Sequence, residues 1–368
     1  MKIQCGKESL LNGIQTVYST TTLKSTLPIL SNILMETKKG ALKLTATDLD
    51  IGVTHDIQVK VELEGAVTVP AKRFFDIIKE LPGNKDIVIS AKKNNIVTIE
   101  CENLFFKLIG LPKEEFPKLP EFKDQDSICM PQLVLKKMLT MTAFAMSYDQ
   151  TRYVLNGILF AMGAQTLKLV GTDGRRLATI EQQVQIPKEL EKTAKNIIVP
   201  TKAISELLRA LGTGGDVKIV IHENQALFNL GQTAIVSRLV EGEFPRYEQV
   251  IPKEVKEKLK VNREDFMLAV RRASILTNQE SQAIKLELFK GKLVISKITP
   301  ELGESREEMA ADYKGPDMAI GFNPTYLVDV LKNMDTPDIE VELTSPEKPG
   351  VFRAAGNYIY VVLPMQIS

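Results

Sequence analysis

The sequence predicts an α+β chain of three similar domains, each built from antiparallel strands and two helices. The first reason is a hairpin written three times. Residues 151–178, TRYVLNGILFAMGAQTLKLVGTDGRRLA, run as an apolar strand, a Gly-Ala-Gln turn and an alternating strand, ending in a Gly and two arginines. Residues 28–50, PILSNILMETKKGALKLTATDLD, repeat it: Asn32, Ile33 and Leu34 answer Asn156, Gly157 and Ile158, and Thr47-Asp48 answers Thr172-Asp173. A fainter copy, QAIKLELFKGKLVISK, fills residues 282–297. The second reason is that helical stripes flank each copy in the same order. The third is length: 368 residues exceed what one core usually serves.

In the first third, KESLLNGIQTVYS places Leu10, Leu11, Ile14 and Val17 at helical spacing. After the hairpin, residues 55–70 alternate as strands. Pro70 then opens a helix, AKRFFDIIKEL, which Pro82-Gly83 stops. DIVISAK, NIVTIEC and LFFKLIGL follow as strands. The middle third repeats the order with PQLVLKKMLTMTAFAMS, the hairpin, NIIVP, TKAISELLRALG and three strands. The last third gives NREDFMLAVRRASILT, the faint hairpin, MAIGFN, PTYLVDVLKNM and three strands. The Pro-containing turns FPKLP and FPRYEQVIP recur between thirds, so the expected domains are 1–126, 127–252 and 253–368. A period near 125 is too long for a solenoid but large enough for a core of its own.

Composition excludes several classes. Lys plus Arg number 47 against 46 for Asp plus Glu, so no overall basic charge coats the chain, and charge segregated by face is what remains for a nucleic-acid binder. No apolar run reaches the roughly 20 residues of a membrane span, and MKIQCGKESLLNG is no signal peptide, which points to the cytoplasm. Cys5, Cys101 and Cys129 are odd in number and far apart, which suggests buried thiols rather than disulfides or a zinc site. Phosphate-loop, dinucleotide, nucleophile-elbow and zinc-protease motifs are missing, and only His55 and His222 occur, so neither a cofactor nor a metal is expected. Asp48, Asp50 and Asp173 could serve a hydrolase at a domain cleft, although Asp48 and Asp173 also suit strand ends. A scaffold unrelated to nucleic acid is the other alternative.

The second helix of each third carries acid, two apolar residues and base: Asp76 to Lys79, Glu206 to Arg209, and Asp329 to Lys332. A single copy reads as a surface ion pair. Three copies in register would set Lys79, Arg209 and Lys332 on one face if the domains are related by rotation. First helices add Lys136, Lys137, Arg271 and Arg272. Residues 303–317 and 112–116 are candidates for the balancing acidic surface.

TLPILSNIL, ATDLD, RYVLNGILF, GTDGRRLA, FPRYEQVIP and the terminal YVVLPMQIS resemble the bacterial sliding clamp, the beta subunit of DNA polymerase III, over the whole chain in order. GTDGRRLA with a terminal YVVLPM is specific to that family. The resemblance implies three clamp domains per chain and a head-to-tail homodimer closing a six-domain ring, sheets outside and helices inside, around double-stranded DNA. Twelve helices about 10 Å wide would leave a hole of roughly 28 Å. It implies DNA contacts at Lys24, Arg73, Gln150, Arg152 and Tyr153, to which the charge pattern adds Lys79, Lys136, Lys137, Arg209 and Lys332. Such contacts meet phosphates and carry no sequence information.

The same resemblance implies a groove for peptides of the replicative polymerase alpha subunit, the clamp loader and repair proteins. Its matching positions are Leu155, Thr172, Gly174, Arg175, Arg176, Leu177, Pro245, Val250, Asn323, Tyr326, Val361, Val362, Leu363, Pro364 and Met365. Arg175 stands where many clamps have His, Gln249 and Gln366 replace frequent arginines, and Ser281 takes a position often aromatic. Ring closure is implied at Phe106 and Lys107 against Ile275 and Leu276, with Glu301 and Glu304 pairing bases across it. From the residues alone, YVVLPM could equally be an ordinary last strand and Ile275-Leu276 ordinary core.

Overall fold

The computed structural model describes residues 1–22, 26–38, 40–92, 94–120, 127–187, 196–354 and 357–367. Each third of the chain opens with a short strand that runs directly into a helix. The first contains β1 (Lys2–Gly6), α1 (Lys7–Tyr18), β2 (Asn32–Lys38), β3 (Ala41–Thr47), β4 (Ile51–Gln58), β5 (Lys60–Leu63), β6 (Ala66–Pro70), α2 (Ala71–Glu80), β7 (Asp86–Ala91), β8 (Ile96–Cys101) and β9 (Leu104–Ile109). The second contains β10 (Ser127–Pro131), α3 (Gln132–Ala143), β11 (Gly157–Met162), β12 (Thr166–Thr172), β13 (Arg176–Gln183), β14 (Ile197–Pro200), α4 (Thr201–Ala210), β15 (Asp216–His222), β16 (Gln225–Asn229) and β17 (Thr233–Arg238). The third contains β18 (Glu257–Asn262), α5 (Arg263–Ser274), β19 (Ile284–Phe289), β20 (Lys292–Thr299), β21 (Gly303–Ala310), β22 (Met318–Phe322), α6 (Pro324–Asn333), β23 (Asp338–Leu343), β24 (Gly350–Ala354) and β25 (Tyr358–Val362). Apart from β5, the three thirds share one order of elements.

The helices follow from apolar stripes at helical spacing. Helix α1 buries Leu10, Ile14 and Val17, α2 buries Phe74 and Ile78, and α5 buries Phe266, Ala269, Val270 and Ala273. Asn262 starts α5 by accepting hydrogen bonds from the Glu264 and Asp265 backbone N–H groups, each at 3.1 Å. Asn323 starts α6 in the same way through Thr325 N–H at 2.9 Å.

The expected hairpins are three-stranded meanders, β2-β3-β4, β11-β12-β13 and β19-β20-β21. Strands β13 and β21 were not expected, because RLATIEQQ and GESREEMA carry too many polar residues for clear alternation. The opening strands β1, β10 and β18 were also missed, being only five or six residues long. Cys5 and Cys101 are buried as expected, but Cys129 is exposed because it lies on the outward register of β10.

The chain divides into two compact units, residues 1–135 with 205–239, and residues 136–204 with 240–368. The first holds a five-stranded sheet, β5-β1-β7-β8-β9, and an eight-stranded sheet, β10-β15-β16-β17-β4-β3-β2-β6. The second holds an eight-stranded sheet, β14-β11-β12-β13-β25-β24-β23-β18, and a four-stranded sheet, β21-β20-β19-β22. Among the described residues the ladders are all antiparallel. The two large sheets share one joint: the last meander strand of one third pairs with the last strand of the next, β4 with β17 and β13 with β25. Among the described residues, β21 and β9 lack the corresponding neighbour, and each ends its sheet.

At the β4–β17 joint, His55 is buried with Nδ1 2.8 Å from Thr233 Oγ1. Burial pushes the imidazole pKa down, against a smaller opposing pull from Asp56. The unfolded chain therefore takes up a proton that the folded chain resists, so the stability held above the ordinary pKa of 6.5 drains away as pH falls toward the depressed value. Thermal melts should fall more steeply for the wild type than for His55→Gln between about pH 7 and about pH 5; parallel curves would show that His55 carries no such linkage.

Candidate functional site

A tight turn between β12 and β13 organises the site. Thr172 Oγ1 donates to Arg176 O at 2.6 Å and accepts from Gly174 N–H at 3.1 Å. The Asp173 carboxylate accepts from the backbone N–H groups of Arg175 and Arg176 at 2.9 and 3.0 Å. Gly174 takes φ +87, a backbone conformation that side chains rarely adopt. Thr47 and Asp48 build the same turn in the first third, where Asp48 Oδ1 accepts from Asp50 and Ile51 N–H groups. Both aspartates therefore close turns, and among the described residues no cluster of potential metal ligands occurs.

Beside this turn lies an apolar groove with about 150 Å³ of water-accessible space. Leu155, Thr172, Gly174, Arg175, Arg176, Leu177, Pro245, Val250, Val361 and Leu363, all expected in one site, line it together. Arg246 and Tyr247 line it too and were missed, although both belong to the FPRYEQVIP turn that sequence reading marked. The floor comes from the β13–β25 joint, where Leu177 faces Val361 and Leu363 N–H donates to Arg175 O at 3.0 Å. Leu159, Val170, Ile198 and Val351 form the core with them.

Five expected groove residues stand apart. Val362 is fully buried in β25 opposite Arg176, and Asn323 is the cap of α6. Tyr326 borders an adjoining cavity with Tyr148, Asp149 and Arg152, and that cavity shares Arg175 and Arg176 with the groove. Pro364 and Met365 line another cavity with Ile320 and Pro346, because Met365 N–H donates to Gly321 O at 2.8 Å. That approach needs the glycine, since a Cβ on residue 321 would sit 2.5 Å from Met365 O.

Arg176 is the one charged group locked into the groove wall. Its Nη1 donates to Asp329 at 2.7 Å, its Nε to Asp173 at 3.1 Å, and its Nη2 to the Phe144 carbonyl. The Tyr326 ring covers the guanidinium at 4.5 Å. Burial opposes the charge, but the Asp329 hydrogen bond and the nearby carboxylates raise the Arg176 pKa above its ordinary value.

This changes the reading of the second-helix pattern. Asp329 is turned to Arg176, while Glu206 does pair with Arg209 at 3.0 Å and also accepts from Ser19 Oγ. No ion pair joins Asp76 to Lys79 among the described residues. Arg73, Lys79, Arg209 and Lys332 are exposed; Lys136 is half-buried, and exposed Lys137 pairs with Asp335 at 2.9 Å. Gln150, Arg152 and Tyr153 are exposed on the short 3-10 segment Gln150–Leu155 that Asp149 caps. Lys24 lies outside the described residues.

On the free edge β9, Phe106 is half-buried and Lys107 exposed, between the exposed apolar residues Leu104, Phe105 and Ile109. Ile275, 75% exposed, ends α5, and Leu276 is half-buried. Glu301 and Glu304 are exposed near the start of β21, as are Ile298 and Leu302. Sequence reading missed Leu104, Phe105, Ile109, Ile298 and Leu302, whose exposed apolar side chains on β9, at the end of β20 and in the turn before β21 were the available signal.

Removing one carboxylate from Arg176 leaves a nearly buried cation under-compensated. Asp329→Asn should lower unfolding stability by about 1–3 kcal/mol in urea, with partial recovery in Asp329→Glu. Unchanged stability would show that Asp173 and the Phe144 carbonyl suffice.

Family comparisons agree along the whole chain. The models of the DNA polymerase III beta subunit match as N-terminal domain at residues 1–120, central domain at 129–246 and C-terminal domain at 248–366. The beta sliding clamp of Pseudomonas putida is 35% identical, covering 98% of this chain and 98% of its own. That of Escherichia coli strain K12 is 32% identical, covering all of both. The crystal structure of a sliding clamp from Bartonella birtlesii bound to griselimycin superposes with a TM-score of 0.94 at 34% identity over all of both chains. One from Bacillus subtilis gives 0.93 at 29% identity, over the full length of each. The chain belongs to the DNA polymerase III beta subunit family, the bacterial sliding clamps: three α+β clamp domains in a non-catalytic processivity subunit.

Proposed function

We propose that this sliding clamp works by topology: two copies close head to tail around duplex DNA and tether replication proteins through the groove beside Arg176. The observation that carries the closure is a break in the pattern of joints. Each large sheet repeats one joint, and among the described strands β21 and β9, each at the end of its sheet, are left without it. Pairing β21 of one copy with β9 of another completes the pattern and brings Gly303 and Glu304 against Phe106 and Lys107. It also covers Ile275, Ile298 and Phe105, exposed apolar residues that a free monomer would leave in water. A heterologous contact of this kind forms a closed ring when its rotation closes.

The domain boundaries belong to this reading, near 126 and 252, the first of which falls outside the described residues. Lys24, Arg73, Lys79, Lys136, Lys137, Gln150, Arg152, Tyr153, Arg209 and Lys332 then meet the DNA. Exposed lysines and arginines on helices suit phosphates without reading bases, so the ring slides. The groove takes short apolar peptide segments from the polymerase alpha subunit, the clamp loader and repair proteins, in the cytoplasm and, when loaded, at the nucleoid. The griselimycin-bound clamp of Bartonella birtlesii supports a ligand-binding surface on this fold. The hydrolase alternative loses its support, because Asp48 and Asp173 are engaged in turns.

Topology makes the test direct. Clamp loaded by an ATP-driven loader onto nicked circular DNA should stay bound through gel filtration in moderate salt and leave once the circle is linearised. Equal retention on linear DNA would refute encirclement, and retention on neither would favour a scaffold unrelated to DNA.

The closure makes its own prediction. Truncating Ile275 and Leu276 to Ala removes apolar burial worth about 2 kcal/mol, so the dimer dissociation constant should rise about thirtyfold in sedimentation equilibrium. An unchanged constant would move the closure elsewhere.

A further inference from the structure

We infer that the groove selects apolar peptides that carry acidic residues beside their anchors, and that Arg175 and Arg246 read those acids while Arg176 does not. The inference rests on the groove being the peptide site. A guanidinium has five N–H donors, and Arg176 directs its Nε and both Nη atoms into the protein, to Asp173, Asp329 and the Phe144 carbonyl. One cation faces two carboxylates there, and the Tyr326 ring covers it. Its charge is spent inside the protein, and what it offers a ligand is shape.

Arg175 and Arg246 differ on every point. Both line the groove, both are exposed, and among the described residues no acceptor holds either guanidinium. The Arg175 backbone is fixed by Asp173 and by Leu363, so its side chain leaves the turn from a defined position. Arg246 sits between Pro245 and buried Tyr247, which fix its stretch of chain against the groove. The apolar floor of Leu155, Leu177, Val361 and Leu363 therefore carries two uncommitted cations at its rim. Charge complementarity points to an acidic partner segment, since exposed pairs give modest affinity but clear preference.

The test uses the full-length protein and three fluorescein-labelled peptides with one Leu-Ser-Leu-Ser-Leu core, flanked on each side by two Asp, two Asn or two Lys. Anisotropy titrations at low salt should rank them Asp, then Asn, then Lys, with the Asp peptide about fivefold tighter than the Asn peptide. Near 0.5 M salt the preference should shrink below about twofold. The double variant Arg175→Ala, Arg246→Ala should bring the Asp-to-Asn affinity ratio below about twofold, whatever happens to the absolute affinity of the Asn peptide. Equal binding of the Asp and Asn peptides to wild type would overturn the inference, as would a double variant that weakens both alike. A different result sinks the groove itself: no peptide binding to wild type, or binding that survives Leu363→Asp at the exposed part of the apolar floor.

Discussion

Backbone hydrogen bonding at strand edges is the constraint on which the rest depends. A strand that ends a sheet presents N–H and C=O groups with no partner in its own chain. This chain satisfies two such edges internally by pairing β4 with β17 and β13 with β25, and each pairing fuses strands of successive thirds into an eight-stranded sheet. Threefold repetition in one chain makes two such joints and leaves one edge of each kind over. The apolar side chains beside those edges, Phe105 and Ile109 on β9 and Ile298 before β21, mean that pairing them buries hydrophobic area as well as backbone.

The groove grows from the same joint. Where β13 meets β25, the pairing of Leu177 with Val361 sets an apolar floor, and the Thr172–Arg176 turn raises a wall beside it. The first third has the same turn, yet Gly52 stands where Leu177 does in the second. Its missing side chain leaves room for Leu119 from the following segment, since a Cβ on residue 52 would lie 2.4 Å from a Leu119 methyl. Leu119 thus takes the place that the Leu177 side chain holds at the second joint.

Much of this was legible in the sequence, and what was not has physical reasons. The hairpins and helices announce themselves because one face of each is buried, which forces periodicity of two or of about 3.6. Strand β21 escaped detection because an edge strand with exposed alternate positions has no need of apolar residues, and five of the eight residues in GESREEMA are charged or polar. Ten groove residues were named through the family resemblance; seven lie in the Thr172–Arg176 turn, at the start of β13 and along the terminal segment, while Leu155, Pro245 and Val250 come from elsewhere in the chain. Asp329 could not be assigned correctly, because local spacing offered Lys332 as its partner while the fold brings Arg176 from 153 residues away. Long-range pairs of that kind leave no periodic trace. Pro364 and Met365 follow the terminal strand directly, and the bridge to Gly321 sets them along a neighbouring cavity.

The claim most exposed to test is that β9 and β21 are not free edges in the working protein. Hydrogen–deuterium exchange followed by mass spectrometry at a concentration well above dimer dissociation reads this directly. The account predicts that peptides spanning residues 104–109 and 303–310 exchange as slowly as those of β4 and β17, and that both become fast together when the protein is diluted to monomer. Rapid exchange of both edges at high concentration, with β4 and β17 still protected, would contradict it.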